Sequence, residues 1–264
     1  MTLAITIFFF IFGLIIGSFL NVVIFRLNTH KSFGGRSKCM TCGKKLNWHE
    51  LIPVFSFLYL KGRCAGCKTR ISKQYPIVEF LTGLFFAGLF LKFENLFFLS
   101  TGAFSITMAF YATMFSLLMV IAVYDLRHKI IPDSLVLVLA ILSFIGLFLF
   151  AGFGFYPHIP SVWEFLSGII VAAPFAIFWL VSKGKWMGLG DAKLMVGIGW
   201  MLGLSRALSG VVLAFWIGAI FGVVLMIFSK KKYTAKSEIP FAPFLVLGSV
   251  LAFLFELHLF PLNF

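Results

Sequence analysis

The chain has 264 residues, 61% of them hydrophobic and only 12% charged, with 36 phenylalanines. A water-soluble domain of this length could not bury so much apolar surface, whereas a bilayer solvates it, so composition excludes the soluble classes and implies a polytopic membrane protein. The formal charge of +13 reports topology and contact with anionic lipid heads, and not nucleic-acid binding, because no folded nucleic-acid module is visible.

A span needs about 20 apolar residues to cross the hydrocarbon layer. Apolar runs predict spans at 3–25, 77–93, 97–124, 134–151, 162–182, 192–204, 207–228 and 240–258. The first lacks a basic start and a small-residue cleavage site, so it is read as a retained helix and not a removed signal peptide. The third is long enough for its start to lie along the interface. The sixth is short and contains Gly197 and Gly199, which predicts a helix that is tilted, partly re-entrant or shielded by neighbours. The expected fold is therefore an all-α polytopic membrane protein of about eight transmembrane helices, with a small zinc-stapled cytoplasmic loop domain between helices 1 and 2. The expected division is a first transmembrane helix at 1–25, a four-Cys domain at 26–75 and a membrane-embedded core at 76–264.

Charge sets the orientation. Of the 22 Lys and Arg residues, 11 fall between Arg26 and Lys73. Further cations follow the third span (Arg127, Lys129), surround a glycine turn (Lys183, Lys185, Lys193) and follow the seventh span (Lys230, Lys231, Lys232, Lys236). Only Lys92 and Arg206 are left for the other side. The positive-inside rule puts the N-terminus outside and the four basic segments in the cytoplasm.

The first span ends Gly17-Ser18-Phe19-Leu20-Asn21. Asn21 is a polar group in an apolar helix and is expected to hydrogen-bond to a neighbouring helix. The loop that follows holds all four cysteines as two Cys-x-x-Cys pairs, Cys39 with Cys42 and Cys64 with Cys67, separated by 21 residues. Two disulfides are one reading, but a reducing cytoplasm favours a tetrahedral zinc site. With four protein ligands the metal is structural, stapling a loop too small to build its own core. The loop carries 11 basic residues and a single acid, Glu50. It ends Tyr75-Pro76-Ile77-Val78-Glu79. Pro76 suits the first turn of the second helix, and Glu79 is there either as an acid favoured by the helix dipole, as a partner for a loop cation, or as part of a second activity.

Two further acids attract attention. Asp191 follows Gly188-Leu189-Gly190 and precedes an apolar run. Alone it reads as a helix N-cap, yet an acid at the mouth of a membrane helix is also a functional candidate. Asp125 ends the third span, at the helix terminus where the dipole disfavours an anion. Asp133, after Pro132, is expected to cap the fourth helix. Arg127 and Lys193 lie two residues beyond Asp125 and Asp191, a spacing that does not face them, so both are expected to reach lipid phosphate. His128 is read as a solvated surface histidine.

Gly17-Ser18-Phe19-Leu20-Asn21, the paired cysteines with Tyr75-Pro76-Ile77-Val78-Glu79, Asp125 with Ile131-Pro132-Asp133, Gly188-Leu189-Gly190-Asp191-Ala192-Lys193-Leu194 and Ile239-Pro240-Phe241-Ala242-Pro243-Phe244 together resemble the type IV prepilin peptidase family. The match runs in order over nearly the whole chain. The resemblance implies a multi-pass protein of the bacterial inner membrane that removes short basic leaders from prepilins or pseudopilins. Cutting falls after a glycine on the cytoplasmic side, and many members also N-methylate the new terminus with S-adenosylmethionine. It implies Asp125 and Asp191 as catalytic acids, with Gly188, Gly190, Lys193 and Glu79 in support. The Gly-x-Gly-Asp signature is similar to that of presenilin-type intramembrane proteases. The loop domain is methyltransferase-associated by the same resemblance. No glycine-rich nucleotide loop is recognisable, so methyl transfer and its cofactor rest on the likeness alone.

Two carboxylates suit peptide hydrolysis. One deprotonates water while the other protonates the carbonyl oxygen and then the leaving amine. Carboxylates at about 3 Å share one proton, which belongs to the pair and not to either residue. Pro240 and Pro243 open the eighth helix, leaving unpaired carbonyls to help line a cleft or simply starting the helix. Because a basic leader meets a basic loop, recognition is expected through packing of the substrate's apolar helix with small residues. Two other classes fit part of the pattern. One is a polytopic transporter, although no inverted repeat is evident. The other is a non-enzymatic assembly factor with a structural zinc loop.

Overall fold

The computed structural model describes residues 1–29, 32, 34–152, 154–228 and 239–260. Lys230, Lys231, Lys232 and Lys236, which carry the fourth basic segment, lie outside the described residues. The chain divides into two compact units, Met1–Leu99 and Ser100–Phe264.

In the first unit, α1 (Thr2–Arg26) leads through a 3-10 turn at Trp48–Leu51 and the short α2 (Phe55–Tyr59) to α3 (Gln74–Lys92) and α4 (Glu94–Leu99). Pro76 occupies the first turn of α3, where a missing N–H costs nothing. The two long helices run antiparallel at close range. A side chain added at Gly13 would come 2.8 Å from Gly83 Cα, and one at Gly17 would come 2.7 Å from Glu79 Cα. Lipid supplies no hydrophobic drive between helices, so small residues that let backbones approach do that work. Stacked Phe9 and Phe90, with centroids 5.2 Å apart, extend the seam.

In the second unit, α5 (Thr101–His128), α6 (Asp133–Leu149), a hairpin of β1 (Phe150–Ala151) and β2 (Gly154–Phe155), α7 (Val162–Ser182), α8 (Leu189–Leu202), α9 (Leu204–Phe228) and α10 (Ala242–Leu254) follow one another. The core is built on α5 and α8: Met114, Leu118, Ile121, Leu194, Met195 and Ile198 are fully enclosed. α8 has only 14 residues, and neighbours shield it, one of the outcomes expected for the sixth span. Gly199 lies against Gly168 of α7, where an added Cβ would be 2.7 Å from Gly168 Cα, and Gly197 lies against Leu139 of α6. Ser167 Oγ donates to the Gly199 carbonyl at 3.0 Å and Trp200 Nε1 to the Phe165 carbonyl at 2.9 Å.

Among the described residues, α1, α3, α5, α7 and α9 are long and apolar enough to cross a membrane, and α6 and α10 are shorter apolar helices. The protein is a mostly helical integral membrane protein. Predicted boundaries shift by a few residues, and two of the shifts have a visible cause. The third predicted span splits at Ser100 into α4 and α5, because the Ser100 hydroxyl caps a new helix by accepting from the Ala103 N–H. The fourth ends at Leu149, where the chain becomes extended and pairs as β1.

Candidate functional site

Asp125 sits in the last turn of α5 and Asp191 in the first turn of α8. Their side chains are enclosed, with the residues only 5% and 7% exposed, and are close enough for the two charges to interact. The problem of an anion at the C-terminal end of α5 is solved by a third helix. The backbone N–H of Ala242, the first residue of α10, hydrogen-bonds to the Asp125 carboxylate, so an unpaired donor at a helix N-terminus meets the acid. Sequence reasoning did not find Ala242. The available signal was its place between Pro240 and Pro243, at the start of a helix whose early amides lack intrahelical partners.

Asp191 is not the N-cap of α8. Gly188 is the N-cap, and Asp191, three residues on, accepts a hydrogen bond from the Gly188 N–H. Gly190 packs on Ile131, where an added Cβ would be 3.0 Å from Ile131 Cβ. This close approach ties the glycine turn to the segment between α5 and α6.

Asp133 also departs from expectation. Pro132 is the N-cap of α6 and Asp133 its first residue, with its carboxylate turned to Lys193, whose Nζ donates to Oδ1 at 2.8 Å. Lys193 therefore engages an acid of the neighbouring helix and does not reach out to lipid phosphate. His128 is exposed, as expected, with its ring 4.4 Å from that of Tyr124.

The cysteines form a second constellation, in the first unit. The two pairs fold as matching turns: Cys39 N–H donates to the Lys44 carbonyl and Gly43 N–H to that of Cys39, while Cys64 N–H donates to Thr69 and Lys68 N–H to Cys64. Gly43 and Lys68 hold equivalent left-handed positions, at φ +68° and +59°. Each turn is closed by a single strand bridge, Lys38 with Lys45 and Arg63 with Arg70. All four thiols are free, and their sulfurs lie within 4.8 Å of one another, with Cys39 and Cys67 at 3.8 Å. Tetrahedral zinc with bonds of about 2.3 Å sets sulfurs about 3.8 Å apart, so Cys39, Cys42, Cys64 and Cys67 fit a metal ion. The turns and the neighbouring thiols together differentiate the sulfurs. The Thr69 hydroxyl and backbone N–H draw Cys67 down to about 6. At Cys42 the Lys44 N–H lowers the value, but Cys39 and Cys67 outweigh it and push the thiol up to about 11. Glu50 is buried and accepts from the Asn47 N–H at 2.8 Å and from Lys44 Nζ at 3.0 Å. Those two donors hold its carboxyl below the usual range.

Asn21 fulfils the expectation of inter-helix bonding: its Nδ2 donates to the Tyr75 carbonyl of α3 at 3.1 Å, and its Oδ1 accepts from Gln74 Nε2 at 3.5 Å. Glu79 is only 6% exposed; it accepts from the Val54 N–H at 2.7 Å and is bonded by Ser18. Its partner is thus a loop backbone amide and not a loop cation.

The "Bacterial Peptidase A24 N-terminal domain" matches residues 11–93 and the "Type IV leader peptidase family" matches residues 112–223. A Bacillus subtilis protein, "Prepilin leader peptidase/N-methyltransferase", is 33% identical over 93% of this chain and 92% of its own length. The chain belongs to the type IV leader peptidase family. Proteins of the same name from Xanthomonas campestris and Pseudomonas aeruginosa are 31% and 30% identical over 91% and 92% of the chain, and 88% and 87% of their own lengths. No solved structure matches.

Proposed function

We propose that this member of the leader peptidase family is a membrane aspartic endopeptidase that removes the leader of type IV prepilins or pseudopilins after a glycine, at the cytoplasmic face of the bacterial inner membrane. The observation that carries the reading is the juxtaposition of Asp125 and Asp191, two enclosed carboxylates from the end of one helix and the start of another. One carboxylate takes a proton from water as it attacks the scissile carbonyl. The other protonates the carbonyl oxygen and then the leaving amine. Ala242 and Gly188 hold the two side chains through backbone N–H groups, fixing their orientation without adding a side-chain cation. A transporter or assembly factor gives no reason for such a pair at the helix ends, and the relatives named as peptidases weigh against both.

The relatives' names also support N-methylation of the new terminus, with S-adenosylmethionine as methyl donor. No residue of this chain is assigned to that cofactor. The metal we assign to the four cysteines is zinc, in a structural role, with all four protein positions filled. The N-terminus lies outside and the basic segments inside, by the distribution of cations. The substrate's own apolar helix enters from the lipid.

The decisive experiment is in vitro cleavage of a prepilin by purified wild type, Asp125→Asn and Asp191→Asn. Each variant is expected to insert normally and to lose cleavage by about 10²-fold or more. Intact processing by either variant overturns the assignment. Mass spectrometry of the processed terminus tests methyl transfer, and an unmethylated product with the cofactor present rejects it.

A further inference from the structure

Near the four cysteines in the chain, several large apolar side chains are exposed. On α2, Phe55, Leu58 and Tyr59 fall at i, i+3 and i+4 and so share one face. They are 65%, 64% and 84% exposed. The 3-10 turn beside it adds Trp48, 77% exposed, and Leu51, and Ile52 follows the turn. Phe57 takes the opposite role: it faces Gly62, where an added Cβ would be 2.9 Å from its ring, and its carbonyl accepts the Gly62 N–H. α2 thus uses Phe57 to hold its own turn and leaves Phe55, Leu58 and Tyr59 uncovered, with exposed Trp48 on the neighbouring 3-10 turn.

The height of this face is fixed by Glu79. Val54, held at φ +61° just before α2, donates its N–H to Glu79 Oε2 at 2.7 Å. Glu79 is the sixth residue of α3, about 8 Å along the helix axis from its start. The start of α2 is therefore tied level with the second turn of a membrane helix. An interfacial helix buries its apolar face about 5–10 Å into the boundary between headgroups and acyl chains, and tryptophan and tyrosine favour that zone. Exposed Lys61, Arg63, Lys68 and Arg70 follow directly, and no acid lies among them, a charge pattern complementary to anionic headgroups.

We propose that the face formed by Trp48, Phe55, Leu58 and Tyr59 seats in an anionic lipid surface and anchors the cysteine domain beside α3. The anchor works with the metal: the four cysteines hold the two turns rigid, Glu79 sets the depth, and the apolar face inserts. The inference rests on α3 crossing the membrane and is independent of the peptidase chemistry.

The test uses the full-length protein in phosphatidylglycerol-containing vesicles, with Trp48 isolated as the difference between wild type and Trp48→Phe. Trp48 emission is expected to be quenched by a lipid carrying a nitroxide near the headgroup and protected from aqueous acrylamide. In the triple variant Phe55→Ser, Leu58→Ser, Tyr59→Ser, with bound metal measured to show that the cysteine domain is intact, the nitroxide quenching is expected to be lost. Quenching by acrylamide alone in wild type overturns the proposal. Protection from both quenchers also overturns it, because the face is then covered by protein. Quenching unchanged when phosphatidylglycerol is replaced by phosphatidylcholine refutes the role of the cations. Leader cleavage measured on the same vesicles separates failure of this inference from failure of the peptidase reading.

Discussion

The Asp125 carboxylate, at the end of α5, is hydrogen-bonded by the backbone N–H of Ala242, at the start of α10. One bond therefore satisfies an acid placed against its own helix dipole and a donor left over by another helix. Stability and the proposed catalytic role can be separated at this residue. Asp125→Asn keeps an oxygen for Ala242 and is expected to unfold as wild type does while losing cleavage. Asp125→Ala strands a buried N–H and is expected to cost a further ~1–3 kcal/mol. Thermal unfolding of the three proteins in one detergent checks the order.

The exposed Lys193–Asp133 pair joins α8 to α6 at 2.8 Å. Because both side chains reach solvent, Lys193→Gln or Asp133→Asn is expected to lower stability by less than about 1 kcal/mol, less still in high salt. Cleavage by these variants is expected to fall far less than in Asp191→Asn, as the same prepilin assay can read. A loss equal to that of Asp191→Asn would move Lys193 into the reaction itself.

Removing the metal is expected to loosen the cysteine domain and leave the helices of the second unit in place. Single Cys→Ser variants at positions 39, 42, 64 and 67 are each expected to lose zinc, measured by elemental analysis, and to become protease-sensitive between residues 34 and 73. Zinc retained at full occupancy in any of the four would refute the four-sulfur assignment.

Gly43 and Lys68 occupy the same place in two matching turns, both left-handed, yet only glycine adopts that conformation without strain. Lys68→Gly is expected to stabilise the domain by about 0.5–1 kcal/mol, with Gly43→Ala destabilising it by about as much. The midpoint of thermal zinc release measures both. Opposite signs are the required result.

Glu50 gives a pH dependence of known sign. The Asn47 N–H and the Lys44 ammonium lower its folded value beneath the ordinary 4.5, so the charged form is favoured in the fold. Its contribution is fully present above 4.5 and is lost as pH falls through the lower, folded value. Wild type is therefore expected to protect the amides of residues 47–51 better than Glu50→Gln near neutrality, a difference that closes in acid. Hydrogen exchange of both proteins across that range decides it.

Much of this protein is legible in its sequence because the solvent is lipid. Backbone groups must be satisfied within each segment, so apolar runs alone locate the long helices. Two Cys-x-x-Cys pairs point to a four-sulfur cluster because each pair can present two thiols to one ion. Asp125 and Asp191 stand out because acids at membrane helix ends are costly and need a reason. What the sequence could not decide are the partners that bring distant stretches together. Ala242 holds Asp125 through a backbone amide, which leaves no side-chain signature. Asp133 and Lys193 find each other only because α6 packs on α8, and Glu79 meets Val54 only because the cysteine turns fold the loop back onto α3. Local patterns follow from hydrophobicity and chain geometry; pairings across the chain follow from helix packing, which tertiary structure alone supplies.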